Sequence, residues 1–206
     1  MLKTISFVVE IIGTVAFAIS GAIVGIEKKM DILGVTILGI TTAVGGGIIR
    51  DLVLGNTPPQ AFVNPIYLIV AAVVSLLSFI PIIRKMFNHY PHLFNLILLI
   101  MDSLGLSIFT VLGIKVAQEV YSSIFLLVFV GVVTGVGGGV MRDVMSESTP
   151  FIFKKFFYCS ACIIGAVITS VLWRFIDGRI AMASGALAIF VLRILAARFH
   201  WKLPRA

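Results

Sequence analysis

The sequence predicts an all-α integral membrane protein with seven transmembrane helices, an inverted repeat of two three-helix units plus a seventh helix. Three observations predict it. The 206 residues are 60% hydrophobic and only 12% charged, with a mean hydropathy of +1.15, whereas soluble domains average about 45–50% apolar and about 25% charged residues. Seven apolar stretches approach the roughly 20 residues that a helix needs to cross a bilayer. A twenty-residue passage is also written twice, 92 residues apart.

The spans fall at about 6–26, 32–54, 64–83, 93–114, 123–146, 155–175 and 180–199. They form a single membrane domain over 1–206, with repeat one at 1–87, repeat two at 93–176 and the seventh helix at 180–200. The first span reads as retained, because Glu10 would fall inside the apolar core of a cleaved signal. Glu27 to Asp31 is a tight turn, and Pro58 and Pro59 forbid continued helix before span three. Arg84 to His92 is the longest connector, its His89 and His92 read as solvated, and Asp177-Gly178 turns the chain into span seven.

The net charge of +7 comes from basic residues scattered among loops, a pattern that excludes a nucleic-acid partner. Their sidedness is informative. Lys3, Arg50, Lys115, Arg174 and Arg179 fall on one side; the other eleven, from Lys28 to Arg205, fall on the opposite side. The positive-inside rule then puts the N-terminus outside a bacterial or archaeal plasma membrane and the C-terminus in the cytosol. The basic and aromatic residues from Arg198 to Arg205 suit anchoring at lipid headgroups, and Lys115 can snorkel to the surface. Cys159 and Cys162 lie one helical turn apart and read as packing residues, since one C-x-x-C without a second pair is a weak metal signal. No nucleophile–base pair, metal cluster or phosphate loop suggests an enzyme, and no cofactor is expected.

The doubled passage is Gly39–Pro58 and Gly131–Pro150, identical at ten of twenty positions. It includes Thr42/Thr134, the triplets Gly45-Gly46-Gly47 and Gly137-Gly138-Gly139, and Arg50-Asp51/Arg142-Asp143. The same offset relates Glu10, Gly13 and Phe17 to Asp102, Gly105 and Phe109, and Gly21 to Gly113. Three spans per copy is an odd number, so the second copy must cross in the opposite sense. Glycine costs about 1 kcal/mol of helix propensity relative to alanine, so each triplet is expected to break its helix near mid-membrane and face a polar cavity. The carbonyls from Thr41 through Thr42 to Val44, and from Val133 through Thr134 to Val136, would then be free to hold a monovalent cation. Of the charged residues, Glu10 is expected to pair with Arg50 and Asp102 with Arg142, since pairing is the cheap arrangement for charges in a membrane. Asp51 and Asp143 would sit toward the two mouths and gather cations.

At these residues the chain resembles the prokaryotic TRIC (trimeric intracellular cation) channels, over nearly its whole length, through the doubled GGG-x-x-R-D followed by Thr-Pro. The resemblance implies a homotrimer in lipid, with a potassium- and sodium-permeable pore in each protomer at helices bent by the glycines. Such sequences are also labelled glycine transporter domains, and a secondary carrier for a small zwitterion is the alternative reading.

Overall fold

The structure, a computed structural model, describes residues 2–80, 91–154 and 157–201. Every regular element among them is an α-helix: α1 (Leu2–Glu27), α2 (Ile32–Val53), α3 (Gln60–Val63), α4 (Ile66–Ser78), α5 (Pro91–Gln118), α6 (Ile124–Met145), α7 (Phe151–Lys154), α8 (Tyr158–Leu172) and α9 (Gly178–Arg198). Five of these, α1, α2, α5, α6 and α9, are long and apolar enough to cross a membrane.

The third and sixth expected spans are shorter than the sequence suggests. α4 has 13 residues and α8 has 15, about 20 Å and about 22 Å at 1.5 Å per residue, against a hydrocarbon core of about 30 Å. Each follows a separate single turn, α3 or α7. Pro65, which has no N–H to donate, separates α3 from α4, and Phe157 at φ 60° precedes α8. His92 belongs to the first turn of α5 rather than to a connector, and His89 lies outside the described residues.

Local chemistry fixes the ends. The Asp31 carboxylate accepts from Gly34 N at 2.7 Å and caps α2, and Asp177 accepts from Arg179 N at 2.8 Å at the start of α9. The longer helices are apolar almost all round, as helices facing both lipid and protein must be.

Packing between the long helices follows the 92-residue offset closely. Phe17 of α1 and Phe109 of α5 stack on each other with centroids 5.3 Å apart. Gly105 leaves room for the Phe17 ring, and a Cβ at Gly13 would come within 3.1 Å of Phe109. The crossing of α2 and α6 is equally reciprocal: a methyl at Gly46 would collide with the carbonyl oxygen of Thr134, and one at Gly138 with that of Thr42. Within each half, Gly21 seats the Thr42 hydroxyl and Gly113 seats the Thr134 hydroxyl, each 2.5 Å from where a Cβ would stand. Residue i touching j+92 while i+92 touches j is what a local two-fold requires. α9 stands outside this scheme and packs on α5 and α8, where Gly165 and Gly185 let the backbones approach.

Candidate functional site

Both glycine triplets differ from the expectation of broken helices. α2 runs without interruption from Ile32 to Val53, and α6 from Ile124 to Met145. The carbonyls expected to be free are therefore engaged within continuous helices. Thr42 and Thr134 are almost completely buried, and their hydroxyls donate back to Leu38 O and Val130 O at 2.6 Å. The physical reason is close packing. Gly46 and Gly138 form the α2–α6 crossing, Gly45 lies against the Met141 thioether, and Gly137 touches Gly46. Backbone contact that only glycine permits outweighs a propensity cost of about 1 kcal/mol per residue.

The third glycine of each triplet behaves otherwise. Nothing but Arg50 Nη2, at 3.9 Å, approaches a Cβ at Gly47, and Gly47 lines a cavity of about 360 Å³. Val44 and Ala43 line it too, whereas Thr41 and Thr42 do not. Its polar wall comprises Glu10 and Thr14 from α1, Arg50 and Asp51 from α2, Tyr67 from α4 and Glu119 just beyond α5. Three carboxylates against one guanidinium leave a formal excess of two negative charges. Phe109 and Leu112 supply apolar wall.

Hydrogen bonds in this half correct the expected pairing. Arg50 folds back on its neighbour Asp51, with Nη2–Oδ1 at 2.7 Å and Nε donating to the same oxygen at 2.8 Å. Asp51 is not a free mouth charge, because its other oxygen accepts from Gln60 N at 2.8 Å and ties α3 to the end of α2. Glu10 has no salt bridge to Arg50; its carboxylate instead accepts the Tyr67 hydroxyl. Tyr67 already occupies the Glu10 carboxylate, and Asp51 the guanidinium.

The second half holds matching groups in a different state. Arg142 Nη1 reaches Asp102 Oδ1 at 2.6 Å and Nε donates to Asp143 Oδ1 at 2.8 Å. Asp143 Oδ2 accepts from Phe151 N at 2.8 Å, tying α7 to α6 as Asp51 ties α3 to α2. Arg142 also donates to Ser20 Oγ at 2.5 Å and lies 4.7 Å from the centroid of the Phe151 ring. Here the charged cluster is sealed: Arg142 is 0% exposed and Asp102 and Asp143 are 1% exposed. Gly139 faces it, with a Cβ position 3.8 Å from Asp102 Oδ1 and 3.7 Å from Arg142 Nη2. Val133 is half-buried and Val136 is buried in the core, and neither lines the cavity.

Tyr67 and Tyr158 escaped the sequence reading. Tyr158 stands 3.5 Å from Asp102 Oδ1, as Tyr67 stands on Glu10. The two tyrosines are 91 residues apart, because Pro59 adds one residue to the first copy. Allowing one gap after Thr57-Pro58 aligns Gln60 with Phe151 and Tyr67 with Tyr158. Arg193 was also missed, having been counted as a cytosolic cation. It is 2% exposed and its guanidinium lies 4.6 Å from the centroid of the Tyr158 ring. Lys115 donates to Ser6 Oγ at 2.7 Å rather than reaching freely to the surface. Cys162 is buried beside Thr110, Cys159 is half-buried, and both are free thiols.

Comparison with known proteins places these features in a wider group. The family model described as "Glycine transporter" matches twice, over residues 7–81 and 99–174, and so reproduces the duplication. The inner membrane protein YadS of Escherichia coli is 36% identical over 197 residues, covering 95% of this chain and 93% of that one. A membrane protein of Vibrio cholerae is 34% identical over 199 residues, covering 96% and 81%. Among solved structures, one that addresses conductance through TRIC cation channels is 39% identical with a TM-score of 0.85, covering 97% of this chain and 96% of that one. The TRIC orthologue of Rhodobacter sphaeroides is 32% identical with a TM-score of 0.87, covering 96% and 100%. A prokaryotic TRIC channel in 0.5 M KCl is 31% identical with a TM-score of 0.88, covering 98% and 100%.

Proposed function

Because the chain belongs to the Glycine transporter family, that of the prokaryotic TRIC channels, we propose that it is a monovalent cation channel with one pore in each protomer of a homotrimer. The observation that carries this reading is the cavity itself. It is about 360 Å³ in volume and walled by Glu10, Asp51 and Glu119 against Arg50 alone. An excess of negative charge between apolar walls raises the local cation concentration and excludes anions.

Arg50 already neutralises Asp51, so Glu10 and Glu119 are the carboxylates that meet the ion. Tyr67, which donates to Glu10, competes with the cation for that carboxylate and keeps its grip weak enough for release. Potassium and sodium suit such an oxygen-lined entry, because no group of three or more metal-binding side chains among the described residues would trap a divalent ion. From the vestibule the route runs toward the Phe17–Phe109 stack and the matching charges of the second half. In the membrane, the two halves cross in opposite senses about the two-fold, α4 and α8 complete seven crossings, and the N-terminus lies outside with the C-terminus in the cytosol.

The test is purified protein in a planar bilayer with potassium chloride on both sides. Discrete unitary currents are expected. Saturable glycine accumulation in liposomes, without such currents, would contradict the channel and favour a carrier.

A further inference from the structure

Two carboxylates of the vestibule have no ionic partner inside the protein. Among the described residues Glu10 and Glu119 take part in no salt bridge. Lys115, one turn before Glu119, is engaged with Ser6 Oγ, and Arg50, the basic residue of the wall, is held by Asp51. Both charges border an apolar surface. Phe109, Leu112 and Val116 line the cavity from α5 at helical spacing and so form one stripe, which leads to Glu119. Exposure changes along it: Asn56, Gln60 and Glu119 are exposed, whereas Val44, Phe109 and Leu112 are buried. The contacts between α1 and α5 fix how far apart the two charges stand. Gly13 meets Ile108 and Phe109, Gly105 meets Phe17, and Ser6 meets Lys115. The two helices therefore run antiparallel, with Glu10 level with Leu112. Glu119 lies seven residues further along, about 10 Å at 1.5 Å per residue.

We propose that the vestibule is a binding site for long alkyl diammonium ions, the chemical class of the polyamines, which plug the cation entry. One ammonium sits on Glu10, the other on Glu119, and the methylene chain lies on the α5 stripe between them. That such ions block rests on the cation-channel reading; that they bind does not. Tyr67 occupies Glu10 Oε2 and leaves Oε1 to the ammonium. The cavity of about 360 Å³ falls in the range of small-ligand sites, about 300–1,000 Å³, and the chain loses apolar contact with water as it lies on the stripe. A bare metal ion gains nothing from that apolar wall. A zwitterion finds no cation for its own carboxylate, because Arg50 is bound to Asp51. Two carboxylates staggered by about 10 Å select by length as well as by charge. A short diamine reaches one of them, and a long monoamine leaves the other unmet.

The test titrates octanediamine, propanediamine and octylamine by calorimetry into purified protein in nanodiscs of neutral phosphatidylcholine, with empty nanodiscs as the blank. Octanediamine is expected to bind about fivefold tighter than either of the others, the upper end of what one exposed ion pair contributes. Glu119→Gln should remove that margin and leave octanediamine equal to octylamine. Val116→Asn should weaken both long amines and spare propanediamine. Equal affinity of the three amines in wild type, or a margin that survives Glu119→Gln, would overturn the site, as would displacement of octanediamine by glycine. The same amines are then added to single channels in planar bilayers, where octanediamine should shorten open dwells from one side of the membrane only. Selective binding that leaves unitary currents unchanged would overturn the block. Selective binding in protein that passes no unitary current would sink the channel and keep the site. Unitary current without selective binding would sink the site and keep the channel.

Discussion

Gly46 and Gly47 are adjacent in one triplet, yet alanine should act on them in opposite directions. Helix propensity favours alanine by about 1 kcal/mol at either position. At Gly47 the new methyl meets only Arg50 Nη2, at 3.9 Å, so that gain is kept. At Gly46 the methyl collides with the Thr134 carbonyl and comes within 3.3 Å of Gly138 N. Both obstacles are backbone, which cannot rotate aside. Overpacking of this kind typically costs about 1–3 kcal/mol, the upper end applying where helices must separate. The variants should therefore differ by about 1–3 kcal/mol. A chain of this length shifts its melting temperature by about 2–4 °C per kcal/mol, so the two melts should lie several degrees apart, on opposite sides of wild type. Thermal unfolding of purified protein in detergent, followed by circular dichroism, measures this. Gly138→Ala should repeat Gly46→Ala, because the crossing is reciprocal. Equal shifts for Gly46→Ala and Gly47→Ala, or Gly47→Ala the more damaging, would refute a packing role for the triplet.

Asp102→Asn leaves Arg142 short of a partner in a sealed site, and breaking such a pair costs about 3–5 kcal/mol; Glu10→Gln, in an open cavity, should cost far less, and the yield of folded protein tests both. Glu119→Gln should lower conductance mainly in dilute salt, because charges at an exposed mouth are screened over about 10 Å at 0.1 M; an equal loss at all salt concentrations would place Glu119 deeper. A bulky maleimide should modify Cys159, half-buried on α8, well before Cys162, which packs against Thr110, and mass spectrometry after brief labelling reads the order.

The sequence made the duplication legible because the offset is nearly constant and the repeated residues are the contact residues. Glu10, Gly13 and Phe17 recur as Asp102, Gly105 and Phe109 since the glycine and phenylalanine of each copy pack on those of the other. The contact of Asp102 with Arg142 was likewise foreseeable from the cost of an unpaired charge in the membrane. The fate of the glycine triplets was not. Propensity is local, whereas the stabilising contact for Gly46 comes from Thr134, a residue in another helix. Arg50 was misassigned because pairing across helices and pairing with the next residue satisfy the same charge, and helix spacing alone cannot rank them. Tyr67 and Tyr158 were hidden by the single extra proline, and Arg193 by its place near a helix end, where basic residues ordinarily reach water.

The most direct test of the acidic vestibule as the cation entry is the reversal potential of single channels under a potassium chloride gradient, for wild type and for Glu10→Gln combined with Glu119→Gln. The account predicts wild-type currents reversing near the potassium equilibrium potential, and a double variant whose reversal moves toward that of chloride as its conductance falls. Wild-type reversal near the chloride potential, or a double variant indistinguishable from wild type in both reversal and conductance, would contradict it.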